Sequence, residues 1–395
     1  MKCYKTELDL NNHQRTACLR HAGAARFVYN WALRRKIDAY EARQKVPTAI
    51  DLHRELNVLK KTELPWLYET SKCAPQEALR NLDKAYQGFF RRCKSGAAKK
   101  GFPRFKSRKR GIGSFTLTGA IHVADRTIQL PRLGILRLKE HGYFPIDVGI
   151  TSATVSERVG RWFVSIQTKE EPIREAGTET LGMDVGIKSL AVLSDGTMFE
   201  NSKALRAAER NLKHLQRTVS RKQKGSANRK KAIARVARQH YRISCVRKDS
   251  LHKVSGAITK RAGIIGMETL NVAGMVRNHH LAKALSDASI AELHRQITYK
   301  MKWAGGIVVK ANQFYPSSKT CSSCGNVKVA LRLSERKYVC ESCGVVLDRD
   351  LNAAINLKQM AASSVVGSHA CGGFRSQAEP VKQEPNTIQG VVLNG

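Results

Sequence analysis

The sequence predicts an α+β multidomain protein. Three observations carry that prediction: apolar spacing that changes from helical to alternating along the chain, a length of 395 residues, and a cation excess too large for internal pairing. The length suggests two or three domains with enough chain to bury a substantial core. Hydrophobic residues make up 42% and charged ones 26%, which is ordinary, but 69 Lys+Arg stand against 32 Asp+Glu for a net charge of +37. Cations at that density repel one another unless a polyanion neutralises them, so nucleic acid is the expected partner, ahead of a membrane surface. No run of 18 apolar residues occurs and no apolar leader core follows Met1, so a cytoplasmic, nucleoid-associated protein with no membrane partner is expected.

Each element follows from local pattern. "CYKTELDL" alternates as a strand, so residues 1–15 are assigned to the β domain as its first strand. Leu19, Phe27, Tyr29, Trp31 and Leu33 then recur at helical spacing, and a further helix opens near Pro75, since proline is tolerated in a first turn. Residues 16–112 therefore read as a helical domain. Its end, Arg91 to Arg110, holds ten Lys or Arg and no acid, with Phe102 and Phe105 among them. A solvated basic loop is the plain alternative, but aromatics among cations favour base stacking beside phosphate contacts, with Arg91, Arg92 and Phe105 as candidates. Residues 113–175 shift to period two with Gly and Pro punctuation, the pattern of a small antiparallel β domain.

"LGMDVGIKSLAVLSDGTMFE" reads as a buried hairpin turning at Ser194-Asp195-Gly196, within a domain spanning 176–316. Inside it, residues 202–261 carry nineteen Lys/Arg against Glu209 and Asp249, and the apolar repeat breaks at "KGSANRK". Two helices packed as a hairpin explain the break, and Arg221, Lys222 and Arg229 near its tip are candidate phosphate contacts. "AGIIGMETL" and "GGIVVKAN" read as buried strands. The tail 362–395 is poor in large apolar residues and is expected to be disordered.

Cys321-x2-Cys324 and Cys340-x2-Cys343 are separated by 15 residues, and Gly325 and Gly344 follow the two pairs. Four thiolates at this spacing match a tetrahedral structural Zn2+ site at 317–346, closed to catalysis. The six scattered cysteines, Cys3, Cys18, Cys73, Cys93, Cys245 and Cys371, imply no disulfide framework in a reducing compartment. Directly after the clip, "DRDLNAAINLKQMAA" is a good helix former over a last segment, 347–361. Asp350 falls near its N-terminus, where capping is the plain role. Asp184 and Glu268 each interrupt an apolar strand. Three such carboxylates are what Mg2+ ions on a phosphodiester need, although spacing alone does not show that they meet.

Taken in order, "LGMDVGIKSLAVLSDG", "GIIGMETLNVAGM", "YPSSKTCSSCG…CESCG" and "DRDLNAAINL" resemble the TnpB family of insertion-sequence proteins, relatives of compact type V CRISPR effectors. "ARFVYNWAL", "LDKAYQGFF" and "GFPRFKSRKR" resemble the family's N-terminal part, so the similarity spans roughly residues 1 to 360. The resemblance implies a RuvC-like nuclease domain of the RNase H fold with an inserted zinc ribbon, an N-terminal helical recognition domain and a wedge-like β domain. It implies an RNA-guided DNA endonuclease that takes a guide RNA from the transposon end and a double-stranded target with a short flanking motif. The family's acids fall on Asp184, Glu268 and Asp350, with Asp348 as the near alternative, and its motif-reading positions on Lys72 and Gln76. A guided repressor without cleavage and a strand-transferring transposase are the rival readings.

Overall fold

The computed structural model describes residues 2–146, 148–169, 175–332 and 335–370, with the side chains of residues 110 and 366–370 outside the description. The chain forms two compact units, one of residues 1–173 with 211–241 and the other of 174–210 with 242 onward.

The first unit opens with β1 (Lys2–Asp9) and the long helix α1 (Asn12–Glu41). Asn11 caps α1 by a reciprocal pair of bonds: its Oδ1 accepts from the Gln14 amide at 2.8 Å, and its own amide donates to the Gln14 side chain at 3.1 Å. Helix α2 (Ala49–Thr62) starts the same way, with Thr48 and Asp51. Helix α3 (Cys73–Lys94) buries Leu79 and Leu82 in its N-terminal half. The strands β2 (Ser114–Leu117), β3 (His122–Val123), β4 (Thr127–Leu130), β5 (Gly134–Leu138), β6 (Ile150–Arg158) and β7 (Arg161–Thr168) join β1 in a seven-stranded antiparallel sheet, ordered β2-β6-β7-β1-β5-β4-β3. As the alternation predicts, β1 belongs to this sheet, and Trp162, Val164 and Ile166 point to its buried face.

The expected division between a helical domain and a β domain at residue 112 does not divide the core. Val28 and Leu33 of α1, Leu52 and Leu56 of α2, Leu79 of α3 and Leu117, Val155 and Val164 of the sheet form one apolar cluster. The sheet buries one face, and the Ala-rich stripe of α1 (Ala22, Ala25, Ala32) gives that face a cover that can lie close.

In the second unit, β8 (Glu179–Asp184), β9 (Ser189–Leu193) and β10 (Met198–Glu200) form an antiparallel meander whose last turn runs through Asp195 and Gly196, as expected. Helices α4 (Ala204–Ser220) and α5 (Ala227–Arg261) are the predicted pair. Residues 211–241 at their tip nevertheless group with the first unit, where Arg158 and Arg161 lie over the Tyr241 ring. β11 (Ala262–Met267) then runs parallel to β8. After α6 (Val272–Met275), α7 (His279–Ala288) and α8 (Ile290–Ala304), β12 (Ile307–Lys310) adds parallel to β11, giving the order β10-β9-β8-β11-β12. The short ribbon β13 (Lys337–Val339) and β14 (Val346–Asp348) leads into α9 (Arg349–Ala370).

Leu181, Met183, Ile265 and Met267 pack with Leu251, Val254 and Ile258 of α5 and with Leu293 and Ile297 of α8. Side chains alternate across a strand, so Gly182 and Gly266, which pair in register, face the other way. There α9 lies on them: a Cβ at Gly182 would collide with the Ala354 carbonyl, and one at Gly266 with that of Leu357. Disorder was expected from residue 362, but α9 continues to Ala370, because Ala361 and Val365 extend its buried stripe. Residues 371–395, the rest of that expected tail, and 170–174 of the linker before β8 lie outside the described residues. No helix is long and apolar enough to cross a membrane among the described residues.

Candidate active site and metal centre

Asp184 is the last residue of β8, and Glu268 follows the last residue of β11. The final register pair of these parallel strands is Met183 with Met267, so the two acids emerge side by side at the carboxyl ends, where open α/β sheets place their sites. The third acid arrives on α9, whose seat on the two glycines brings its first turn to the same edge. Burial of its carboxyl first, and then the charges of Glu268 and Asp350, push Asp184 well above the usual carboxylate range, against the opposing Val185 amide and Arg349. The three predicted acids therefore meet electrostatically.

The near alternative, Asp348, has a different task. Its Oδ1 accepts from the amides of Asp350 at 2.9 Å and Leu351 at 3.2 Å, which makes it the cap of α9. The plain capping role considered for Asp350 thus falls to Asp348. Arg349 reaches Asp350, at 3.4 Å.

Glu268 is held from a loop that sequence reasoning missed. The Ser317 hydroxyl donates to Glu268 Oε1. On either side, the Ala311 amide donates to the Met267 carbonyl at 2.8 Å and the Thr269 hydroxyl to the Ala311 carbonyl at 2.7 Å. Ser317 lies in the quoted "YPSSK" stretch, and its place just ahead of the first cysteine was the only signal for it.

The four cysteines close as predicted. Among the described residues they are the one set of three or more candidate metal-ligating groups brought together, with donor atoms all within 4.8 Å of one another. Cys321 and Cys343 Sγ are 3.6 Å apart, as are Cys324 and Cys340. The two knuckles repeat each other: Gly325 and Gly344 have φ of 77° and 74°, and their amides donate to the Cys321 and Cys340 carbonyls at 3.0 and 3.1 Å. The Cys343 amide, with Ser342 adding to it, pulls the Cys340 thiol down to about 6.

Amide side chains of α9 tie this clip to the helix. Asn352 accepts from the Ser322 amide at 3.0 Å and donates to the Thr320 carbonyl at 2.7 Å. Asn356 donates to the carbonyls of Ser317 and Thr320, and Gln359 to that of Ser322. Asn352 and Asn356 are fully buried and four residues apart, so they share one helix face. That spacing stands in "DRDLNAAINL" and was legible as a face, but its partners were not.

The candidate nucleic-acid contacts separate into two kinds. Lys72, at the start of α3, and Arg91, Phe105, Arg221 and Lys222 are exposed, and Gln76 is half-buried one turn beyond Lys72. Arg92 and Arg229 instead serve the fold. Arg92 donates to the Lys100 and Gly101 carbonyls at 2.6 and 3.0 Å, and Arg229 to those of Val219 and Lys222 at 3.1 and 2.9 Å, closing the end of α4. Guanidinium groups suit such carbonyl clusters because their five donors fan out in a plane. His21 was also missed: its Nε2 accepts from the Ser71 amide at 2.9 Å and so anchors the turn that presents Lys72.

A mixed α/β protein with acids gathered at one sheet edge and a four-thiolate clip beside them is the class that fold and site define. Sequence comparison narrows it. A family described as "Probable transposase" matches residues 163–279, one described as "Cas12f1-like, TNB domain" matches 291–357, and a "Helix-turn-helix domain" matches 1–45, a stretch that here forms β1 and the single helix α1. A Streptomyces pristinaespiralis protein named "Putative RNA-guided DNA endonuclease" is 37% identical over 97% of this chain and 96% of its own. An Escherichia coli K12 protein, "Putative RNA-guided DNA endonuclease InsQ", is 32% identical over 98% of each. The solved Cas12f1-sgRNA-target DNA complex shares the fold, with a TM-score of 0.54 at 14% identity over 87% of this chain and 82% of that one. The chain belongs to the TnpB family.

Proposed function

We propose that this protein is an RNA-guided DNA endonuclease that hydrolyses phosphodiesters at Asp184, Glu268 and Asp350. The observation that carries the reading is the meeting of these acids at the carboxyl edge of β8 and β11, where burial first, and then the charges of the other two, hold Asp184 above the usual carboxylate range. The sheet supports a RuvC-like domain of the RNase H fold, since a three-strand antiparallel meander followed by two parallel strands in the order 3-2-1-4-5 is that fold's arrangement.

The donor sets fit the two expected metals. Sulfur pairs 3.6 Å apart are close to the ~3.8 Å edge of a tetrahedron with Zn–S bonds of about 2.3 Å, so Cys321, Cys324, Cys340 and Cys343 would hold a structural Zn2+. Three hard, mutually repelling carboxylates would hold Mg2+, whose charge relieves the repulsion on Asp184. Bound there in a two-metal arrangement, Mg2+ supplies an activated water and stabilises the leaving oxygen. The chain's own work is orientation: Ser317 fixes one oxygen of Glu268, Asp348 fixes the helix start that carries Asp350, and the end of β8 carries Asp184. The exposed Arg91, Phe105, Arg221 and Lys222 would meet nucleic acid, and Lys72 and Gln76 the flanking DNA motif, while pairing with a guide RNA from the transposon end selects the target.

The test is to purify the protein expressed with its native locus, sequence the bound RNA, and offer a plasmid complementary to its 3′ end in Mg2+. RNA-dependent cutting is expected, and Asp184→Ala should abolish it while RNA binding persists. Cutting that needs no RNA supports a transposase, and guided binding without cutting supports a repressor.

A further inference from the structure

The loop between β12 and the metal clip wraps the end of β11. Residues 267, 268 and 269 each bond to one of its ends: Met267 and Thr269 to Ala311, Glu268 to Ser317. Ala311 and Ser317 are accordingly buried, at 4% and 3% exposure. Between them the backbone is turned by internal bonds. The Phe314 amide donates to Asn312 Oδ1 at 3.0 Å, the Tyr315 amide to the Asn312 carbonyl at 3.0 Å, and the Ser317 amide to the Tyr315 carbonyl at 2.9 Å. At the tip of this braced loop Phe314 is 86% exposed, more than any other aromatic ring among the described exposed hydrophobics.

A ring this open gains nothing for the fold, and three turn bonds keep it from folding back. Its Cα stands three residues from each anchor, hence no more than about 11 Å from either Ala311 or Ser317. One of those anchors, Ser317, is bonded to Glu268, so the loop tip is tethered to the edge that carries the acids. Lys310, exposed where the loop begins, adds a cation to the same loop. An aromatic face without polar groups, on a basic loop anchored to the proposed phosphodiester site, is complementary to an unstacked nucleobase, and to any of the four bases alike. A base inside a duplex has both faces covered and offers the ring nothing.

We propose that Phe314 is the stacking platform for a base of the opened DNA strand next to the phosphodiester being cut. This rests on the endonuclease reading above. By holding that base, the ring aligns the strand across Asp184, Glu268 and Asp350 without reading its sequence.

The experiment uses the full chain with its guide RNA. Cut positions are mapped with the wild-type protein, and 5-iododeoxyuridine is then placed at the flanking nucleotide in an Asp184→Ala background, which keeps the strand whole. Irradiation should crosslink that nucleotide to residue 314, Phe314→Ala should lose the crosslink, and Phe314→Trp should regain it. Without the background substitution, single-turnover cutting should fall roughly tenfold or more in Phe314→Ala and recover in Phe314→Trp, with guide-RNA binding and melting temperature unchanged. A Phe314→Ala protein that cuts at the wild-type rate overturns the proposal while leaving the endonuclease reading intact. So does a crosslink from iodouridine in the guide RNA to residue 314. A wild-type protein that shows no RNA-dependent cutting removes both readings.

Discussion

Ser317 holds Glu268 by a hydroxyl-to-carboxylate hydrogen bond, and Asn356 of α9 holds Ser317 in turn through its carbonyl, at 2.8 Å. The bond fixes which oxygen of Glu268 is turned toward the site. A hydrogen bond to a charged group contributes about 1.5–3 kcal/mol, so Ser317→Ala should slow cutting by roughly 10- to 100-fold and raise the Mg2+ concentration needed for half-maximal rate. Ser317→Thr, which keeps the hydroxyl, should recover most of the loss. An unchanged metal requirement in Ser317→Ala would remove the positioning role.

Asp184 is costly to the protein that carries it. Because burial and two neighbouring acids disfavour its charge, Asp184→Asn should raise the metal-free melting temperature, on the order of 1 kcal/mol of stability, while abolishing cutting. Calorimetry of the two proteins in chelator checks the sign. A lower melting temperature in Asp184→Asn would mean that its carboxylate is satisfied in some other way.

Gly182 and Gly266 should tolerate no side chain. Alanine at either forces α9 off the sheet, and overpacking of this kind costs about 1–3 kcal/mol. The more telling readout is chemical: cutting should fall much further than that stability loss implies, because α9 carries Asp350, while zinc content stays at one ion per chain. Proportional losses of stability and rate would argue against displacement of the acid.

Metal removal should act at a distance. Chelation of Zn2+ should release the knuckle carbonyls and amides that Asn352, Asn356 and Gln359 hold, and so abolish cutting that Mg2+ alone cannot restore. Adding Zn2+ with Mg2+ should restore it. Cys340→Ser should reproduce the loss, and full activity of the zinc-free protein in Mg2+ would sever the link.

His294 of α8 sets an acid limit. Burial first, then the charge of Lys310, lowers it to about 4, and its Nε2 is buried without a hydrogen-bond partner. An unfolded histidine titrates near 6.5, so between those values the unfolded chain binds more protons, and stability falls as the pH drops from about 6.5 towards 4. The loss amounts to at most about 3 kcal/mol. His294→Gln should therefore lose less melting temperature than the wild type between pH 7 and pH 4.5, and equal losses would assign the acid limit to other groups.

What was legible in the sequence was whatever announces itself locally. The cysteine pairs with their glycines, the acids that interrupt apolar strands, the alternating strands and the paired basic helices all have a short-range signature. Three things did not. The register that sets Asp184 beside Glu268 joins strands more than eighty residues apart. Arg92 and Arg229 look like phosphate contacts in a basic run, yet they bond to backbone carbonyls that only the folded turn supplies. The core shared by α1 and the seven-stranded sheet likewise depends on long-range packing that composition does not reveal.

The seat of α9 also orders events during synthesis. The helix is the last described element of the chain, and it supplies both the cover for Gly182 and Gly266 and the third proposed acid. A nascent chain that has emerged only as far as the metal clip holds two acids and a bare sheet face. On the proposed triad, cutting ability thus waits for α9, and a product terminated before Asp350 lacks its third acid.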